Sequence, residues 1–329
     1  MLTFDTSPLR RRHRAGSLAI VALVVALVGA LGIVTAARRT ITGLEHVSGV
    51  AEVLSPSSDV VDNYLLVGSD SRSGGDPNTG DSGEVTGNRS DSLMVLRYDR
   101  STGVAELLSL PRDLYVEVPG REGRRRINSA YNDGPDVLVR TVQMLGIPVH
   151  HYVEVDFAGF TELVEALGGI EICFKRPTRD ANTGLAIPTK GCYTLDGKMA
   201  LAYARSRHYE EWREGEWQED PSSDIGRTQR QRRFVNLCLK KAVAEVKGNP
   251  FRTGSLVDAI SAAVRTDAAL DPLDAAMSLR GAVDEGLGTF ALPVIPATVD
   301  GNDILELGDG AEAVLAYFRG EGPRPRPQG

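Results

Sequence analysis

The chain has 329 residues, 42% of them hydrophobic and 25% charged, which excludes a disordered or collagen-like polypeptide and leaves room for one large core or two small ones. Its formal net charge of −7 excludes a surface that seeks polyanions as a whole, and no aromatic-basic platform points to nucleic acid. The arginines nevertheless crowd into short stretches, and that crowding needs a local cause.

Residues 1–14 are basic, with Arg10, Arg11, Arg12 and Arg14. Residues 15–37, "AGSLAIVALVVALVGALGIVTAA", carry no charge and show no polar face. A helix of ~20 such residues spans the ~30 Å hydrocarbon core of a bilayer. A helix packed on a core with one side to solvent would show a polar face, and this run has none. A cleaved signal peptide is the stronger rival, since Thr35-Ala36-Ala37 resembles a cleavage site, but its apolar region would run only ~7–15 residues. The arginine excess ahead of the segment orients it with the N-terminus in the cytoplasm. The expectation is an uncleaved, single-pass anchor in the cell membrane, with everything after about residue 40 outside the cytoplasm. Residues 38–60 read as a linker with a short helical pattern, broken at "SPSSD".

From Tyr64 the pattern turns to strands. "YLLVG" is an apolar run ending in glycine, and "SLMVLRYD", "RSTG" and "VAELLSL" read as a hairpin. "DGPDVLVRTVQMLG" has helical spacing stopped by Gly146, "HYVEVD" is a strand, "FAGFTELVEALGG" a helix and "IEICF" a strand. This alternation predicts α/β layering. A long helix follows over residues 224–247, then two more in "GSLVDAISAAVRTDA" and "LDAAMSLRGAVDEG". "FALPVIPATVDG" reads as an edge strand, confined there by its prolines. One domain is expected over residues 61–318, with a disordered tail over 319–329.

Cys173 and Cys192 bracket the loop "FKRPTRDANTGLAIPTKG". Outside the cytoplasm they can persist as a disulfide; two buried thiols that never meet are the alternative. Their spacing suits no zinc site. Cys238 lies in an apolar helical pattern and reads as a buried free thiol.

Charged clusters fall where strands end: "GSDSR" with Asp70, "NRSDS" with Arg89 and Asp91, "SLPRDLYV" with Arg112 and Asp113, and "RRRINSAY" with Arg126. "LAYARSR" alternates, which would set Leu201, Tyr203, Arg205 and Arg207 on one face of a strand. The next helix opens at Asp224 as its N-cap, with Asp224, Arg227 and Gln231 on one face. Two accounts of these arginines stay open. One is an internal network with Asp70, Asp91, Asp113 and Asp224. The other is a pocket for a bound polyphosphate, whose oxygens match guanidinium forks.

The blocks "NYLLVGSDSR", "NRSDSLMVL", "LSLPRDLYVEVPG", "RINSAY", "HYVEVDFAGFTELVEALGGIEI", "LDGKMALAYARSRH" and "DIGRTQRQRR", in that order, resemble the LytR-CpsA-Psr family. The resemblance implies a central mixed β-sheet wrapped by helices, with an apolar tunnel for a lipid tail. It implies a membrane-anchored phosphotransferase that takes a glycopolymer from a polyprenyl-pyrophosphate carrier. The acceptor would be peptidoglycan, at the muramic acid 6-hydroxyl, joined by a phosphodiester. It also implies Mg²⁺ held by Asp70 and Asp91. Arg89, Arg112, Arg126, Arg205, Arg207, Arg227 and Gln231 would bind pyrophosphate, with Asp91, Arg112, Arg205 and Arg207 closest to the chemistry. Two departures stand out: Arg126 where the family often has lysine, and long insertions over residues 74–88 and 209–223 that bear on the acceptor or polymer side. No residue set suggests a covalent intermediate, so direct attack by the acceptor hydroxyl is the simpler course. Asp91, Asp113 and Asp224 are open as its base. A phosphatase or pyrophosphatase, with water as acceptor, and a non-catalytic lipid- or glycan-binding regulator are the competing classes.

Overall fold

The computed structural model describes residues 45–56, 58, 60–69, 90–220, 223–248, 262–270, 275 and 287–326. The expected anchor over 15–37 therefore lies outside the described residues. Among those described, no helix is long and apolar enough to cross a membrane.

The central sheet has seven strands: β1 (Glu45–His46), β2 (Val61–Ser69), β3 (Ser90–Asp99), β4 (Val104–Leu110), and three from further along the chain. Between β4 and the next of these come the small ribbon β5 (Tyr115–Glu117) with β6 (Arg124–Arg126), then helices α1 (Asn128–Asp133) and α2 (Pro135–Met144). Strand β7 (His151–Asp156) then enters the sheet and leads into helix α3 (Phe157–Ala166). Strands β8 (Ile170–Phe174), β9 (Thr178–Asp180), β10 (Leu185–Ile187) and β11 (Gly191–Leu195) come before helix α4 (Gly197–Arg205). The hairpin β12 (Glu210–Arg213) and β13 (Glu216–Glu219) precedes the long helix α5 (Ser223–Gly248). The chain closes with β14 (Val264–Thr266), β15 (Gly288–Ala291), the hairpin β16 (Val294–Val299) and β17 (Asn302–Leu307), and helix α6 (Ala311–Arg319).

The sheet order is β1-β14-β7-β2-β3-β4-β15. Strands β7 and β2 run parallel, as do β1 with β14 and β4 with β15; the other neighbours are antiparallel. The sheet is thus mixed, as the resemblance implies. Its middle strands are buried on both faces, which explains their near-continuous apolar runs. Leu65, Val95 and Leu108 align across three strands and face a core with Leu138, Val142 and Phe318. Their neighbours Tyr64, Leu96 and Leu107 align likewise and face the opposite way, toward Val235 and Leu239 of α5. A further core joins α3, α4, β8 and β11 to α5 through Val164, Ile172, Leu195, Tyr203 and Phe234.

Several expectations are corrected. The linker is no separate segment throughout: β1 pairs with β14, and Val50 is fully buried in the main core. "LAYARSR" forms the end of α4, not a strand. Asp196 caps that helix by accepting from Met199 N at 2.8 Å, and three alanines favour helix over strand. In "VRTDA" the residues Val264–Thr266 are strand β14 rather than helix end. The second expected helix, "LDAAMSLRGAVDEG", falls almost wholly outside the described residues. "FALPVIPATVDG" is split at Leu292-Pro293 into an edge strand, β15, and one arm of a hairpin, β16. The tail does not begin free, because Arg324 donates to the buried Glu106 carboxylate.

Cys173 and Cys192 sit opposite each other on β8 and β11 and are joined by a disulfide. Cys238 is a free thiol on α5, and burial pushes it up to about 12. The disulfide closes an excursion that contains β9 and β10. Chain entropy assigns a loop of this order ~3 kcal/mol. The Cys173→Ala/Cys192→Ala double variant should lose that much in denaturant unfolding, and non-reducing peptide mapping should recover the two half-cystines as one linked pair. Recovery of both as free thiols from the folded protein would refute the pairing.

Candidate active site

Helix α4 ends at Arg205, and the chain leaves it at Ser206 in an extended conformation. Ser206 is fully buried, so its neighbours Arg205 and Arg207 lie on either side of an anchored residue. The Arg205 guanidinium rests over the Phe157 ring at 4.4 Å. From the first turns of α5, Gln231 donates to the Ala204 carbonyl at 3.2 Å, and Arg230 donates to the Ser206 carbonyl at 2.6 Å. These bonds tie the two helices together where both present arginine. Arg230 serves the framework: it lies over Tyr209 and pairs with Asp220 at 3.3 Å.

The result is a cleft of about 260 Å³ lined by Arg205, Arg207, Arg227 and Gln231, with Asp180, Asn182, Thr183 and His208. All four of the first set are residues that the sequence nominates for pyrophosphate. Arg227 is only 3% exposed, so its charge is committed to the interior, where an anionic neighbour is worth most. The Thr183 hydroxyl, also in the wall, is buried and has no hydrogen-bond partner among the described residues. Helix α5 starts at Ser223, so Asp224 lies within its first turn instead of capping it.

Arg112 and Arg126 are not brought into this cleft. They line a second one of about 450 Å³, with Asp113, Tyr115, Asn128 and Asn302. The two clefts share no lining residue. Here both arginines have partners within the protein. Arg112 pairs with Asp113 at 3.3 Å, Arg126 approaches the same carboxylate at 3.5 Å, and Arg126 donates twice to the Asp303 carbonyl.

Asp70 and Arg89 lie outside the described residues, as does the insertion over 74–88. For Asp91 the main chain is described. Gly68 pairs with Ser92 and Ser69 with Ser90, so Asp91 is the extra residue of a β-bulge in β3. Bulges re-aim side chains and gather beside active sites. The two strands approach closely at position 68: a Cβ there would stand 3.2 Å from that of Ser92, which would have to give by a few tenths of an ångström. Ser69, the neighbour of Asp70 in sequence, is anchored below the bulge: its hydroxyl donates to Glu154 Oε1 at 3.0 Å. The same buried carboxylate accepts from Tyr131 and Tyr152, at 2.6 and 2.8 Å, and pairs with Arg265. Burial, then the Glu154 charge and hydrogen bond, raise both phenols above their ordinary range. Among the described residues no three His, Cys, Asp or Glu side chains group as metal ligands.

Sequence reasoning missed Glu154 and Asp180. The other insertion, over 209–223, is largely the hairpin β12–β13, with Trp212 and Trp217 paired across it.

A mixed sheet between helix layers, with arginines from two helix ends lining one cleft, defines an α/β protein with a basic cleft. The model of the LytR_cpsA_psr family matches residues 36–314, and the chain belongs to that family. It is 36% identical over 272 residues to a probable cell wall biosynthesis protein, LcpB, of Corynebacterium glutamicum, covering 78% of this chain and 61% of the relative. It is 33% identical over 201 residues to the polyisoprenyl-teichoic acid–peptidoglycan teichoic acid transferase TagU of Enterococcus faecalis, covering 59% of this chain and 60% of that one. The chain thus spans about three fifths of the length of these curated relatives. Among solved structures, a LytR-Csp2A-Psr enzyme from Actinomyces oris superposes with a TM-score of 0.65 at 25% identity, over 84% of this chain and 96% of that one. TagT bound to LI-WTA shares the fold, with a TM-score of 0.61 at 22% identity, over 84% of this chain and 98% of that one.

Proposed function

We propose that this chain transfers a glycopolymer from a polyprenyl-pyrophosphate carrier to peptidoglycan, forming a phosphodiester at the muramic acid 6-hydroxyl. The observation that carries the reading is the convergence of Arg205, Arg207, Arg227 and Gln231 on one cleft. Guanidinium forks clamp the two phosphates and stay charged at every relevant pH. The acceptor oxygen attacks the sugar-linked phosphorus as the bond to the bridging oxygen breaks. Polyprenyl phosphate leaves with the electron pair, and the acceptor proton passes to a carboxylate. The arginines offset the charge that builds on the leaving phosphate, which is how phosphoryl transfer is mainly catalysed.

Asp70 and Asp91 would hold Mg²⁺. Their donors are hard carboxylate oxygens, and the bulge sets Asp91 opposite the strand end from which Asp70 continues. When bound, the cation would offset pyrophosphate charge. In this reading the apolar segment 15–37 anchors the chain in the cell membrane, the remainder works outside the cytoplasm, and the lipid tail lies in an apolar tunnel.

The test uses the full chain, a labelled polyprenyl-pyrophosphate glycopolymer and peptidoglycan oligomers, with Mg²⁺ or excess chelator. Label should move to peptidoglycan only with Mg²⁺, and Asp91→Asn should nearly abolish transfer while leaving the fold intact. Phosphate release without transfer would make the protein a hydrolase. Carrier binding with neither would make it a regulator. Full transfer in chelator, or by Asp91→Asn, would overturn the metal assignment.

A further inference from the structure

We infer that Asp180 is the positioning residue of the arginine turn; the inference rests on the reading of the cleft given above. Asp180 closes strand β9, inside the excursion that the disulfide pins, and it is fully buried. Its Oδ2 accepts from three donors of the turn that follows α4: Ser206 Oγ at 2.6 Å, Arg207 N at 3.1 Å and His208 N at 3.1 Å. Its Oδ1 accepts from Asn182 N at 2.9 Å and Thr183 N at 3.3 Å. One carboxylate thus fixes two main-chain segments that both line the cleft.

The turn is held from its other side as well. The Ser206 carbonyl accepts from Arg230 of α5 and the Ala204 carbonyl, in the last turn of α4, accepts from Gln231, while the Arg207 and His208 N–H groups donate to Asp180. With the Ser206 carbonyl and hydroxyl and the two following N–H groups all engaged, the main chain between Arg205 and Arg207 is held, and with it the positions from which both side chains start. A carboxylate in an anion-binding cleft works against the ligand's charge. Its retention there is explained by the turn, because no neutral side chain of this size offers acceptors on both sides. Asparagine has the same shape, but its NH₂ must face either the three donors of the turn or the two at Asn182 and Thr183. Burial then leaves those donors unmatched.

The experiment measures binding of inorganic pyrophosphate to the full chain by calorimetry, alongside thermal melting. The variants are Asp180→Asn, Ser206→Ala, their combination and Arg207→Ala. Asp180→Asn should weaken binding about tenfold and Ser206→Ala about threefold, the scale of lost buried hydrogen bonds. Because both act through one oxygen, the combination should bind less than about threefold more weakly than Asp180→Asn alone. A role in folding alone would lower the melting temperature and leave the affinity of the folded protein unchanged. Loss of binding in Arg207→Ala, with parental affinity in folded Asp180→Asn and Ser206→Ala, overturns the role of Asp180 and leaves the cleft's reading standing. Parental affinity in Arg207→Ala overturns that reading itself. If Asp180→Asn does not fold, Ser206→Ala decides: unchanged affinity there overturns the proposal.

Discussion

If the chain is the proposed transferase, Arg207→Ala is expected to lower glycopolymer transfer by ~10²–10³-fold, the usual loss when one preorganised donor to developing charge is removed. Three features of the site lead there. Arg207 lines the cleft, its main-chain nitrogen is held by Asp180, and the preceding residue is fully buried. Its side chain is therefore aimed before substrate arrives, so little is lost in ordering it. It is also partly exposed, unlike Arg227, so truncation should cost the fold less than the same change at Arg227 would. Arg207→Lys keeps the charge but loses the fork and should recover only part of the rate. Steady-state transfer kinetics with a matched melting curve check this. A parental rate in the alanine variant would remove the cleft from the chemistry.

Glu154→Ala should give the largest loss of stability, ~3 kcal/mol or more, because removing one member of a buried charged network strands the others. Ser69, Tyr131 and Tyr152 would each lose the acceptor for a hydroxyl proton, and Arg265 would lose its carboxylate. Arg265 is a third exposed and can rehydrate, which keeps the figure at the lower end of the range for broken buried pairs. Glu154→Gln preserves shape and one acceptor and should cost less. Urea unfolding measures both. If Glu154→Ala unfolds at the parental midpoint, the network carries no stability. On the proposed reading the variant should also reduce activity, since Glu154 holds Ser69, the sequence neighbour of Asp70, which is proposed with Asp91 to hold Mg²⁺.

The sequence foretold the layering, the hairpin at Ser101–Gly103, helices α2, α3 and α5 and the family, because each rests on local periodicity or on motif order. It also named four residues of one cleft. It failed where two periods coincide. "LAYARSR" satisfies a strand's alternation, yet its alanines and the Asp196 cap make it a helix, so Arg205 and Arg207 meet through a turn instead of a shared face. Glu154 was hidden for a different reason. In "HYVEVD" the valines look like the inward residues, but β7 is an interior strand, and Tyr152 and Glu154 are its most buried positions. Asp180 gave no signal at all: one aspartate in a Pro/Gly-rich loop reads as solvated until the disulfide and β9 fold it inward. The partners of Arg112 and Arg126 were equally hidden, because only tertiary structure brings Asp113 and the Asp303 carbonyl to them.

Helix α5 has a consequence for how this chain can change over generations. Gln231 serves the cleft, Phe234 and Leu237 one core, and Val235 and Leu239 another, all on one rigid rod. Each residue added or deleted between Gln231 and Phe234 would turn the rod's upstream part by ~100° relative to the rest, since a turn takes 3.6 residues. Single insertions there would break the alignment of arginines with cores, however mild their chemistry. The β12–β13 turn at Glu214 and Gly215 carries no such constraint, because its ends are fixed by strand pairing. Lineages of this protein should therefore vary freely in length at that turn and hardly at all along the first half of the helix.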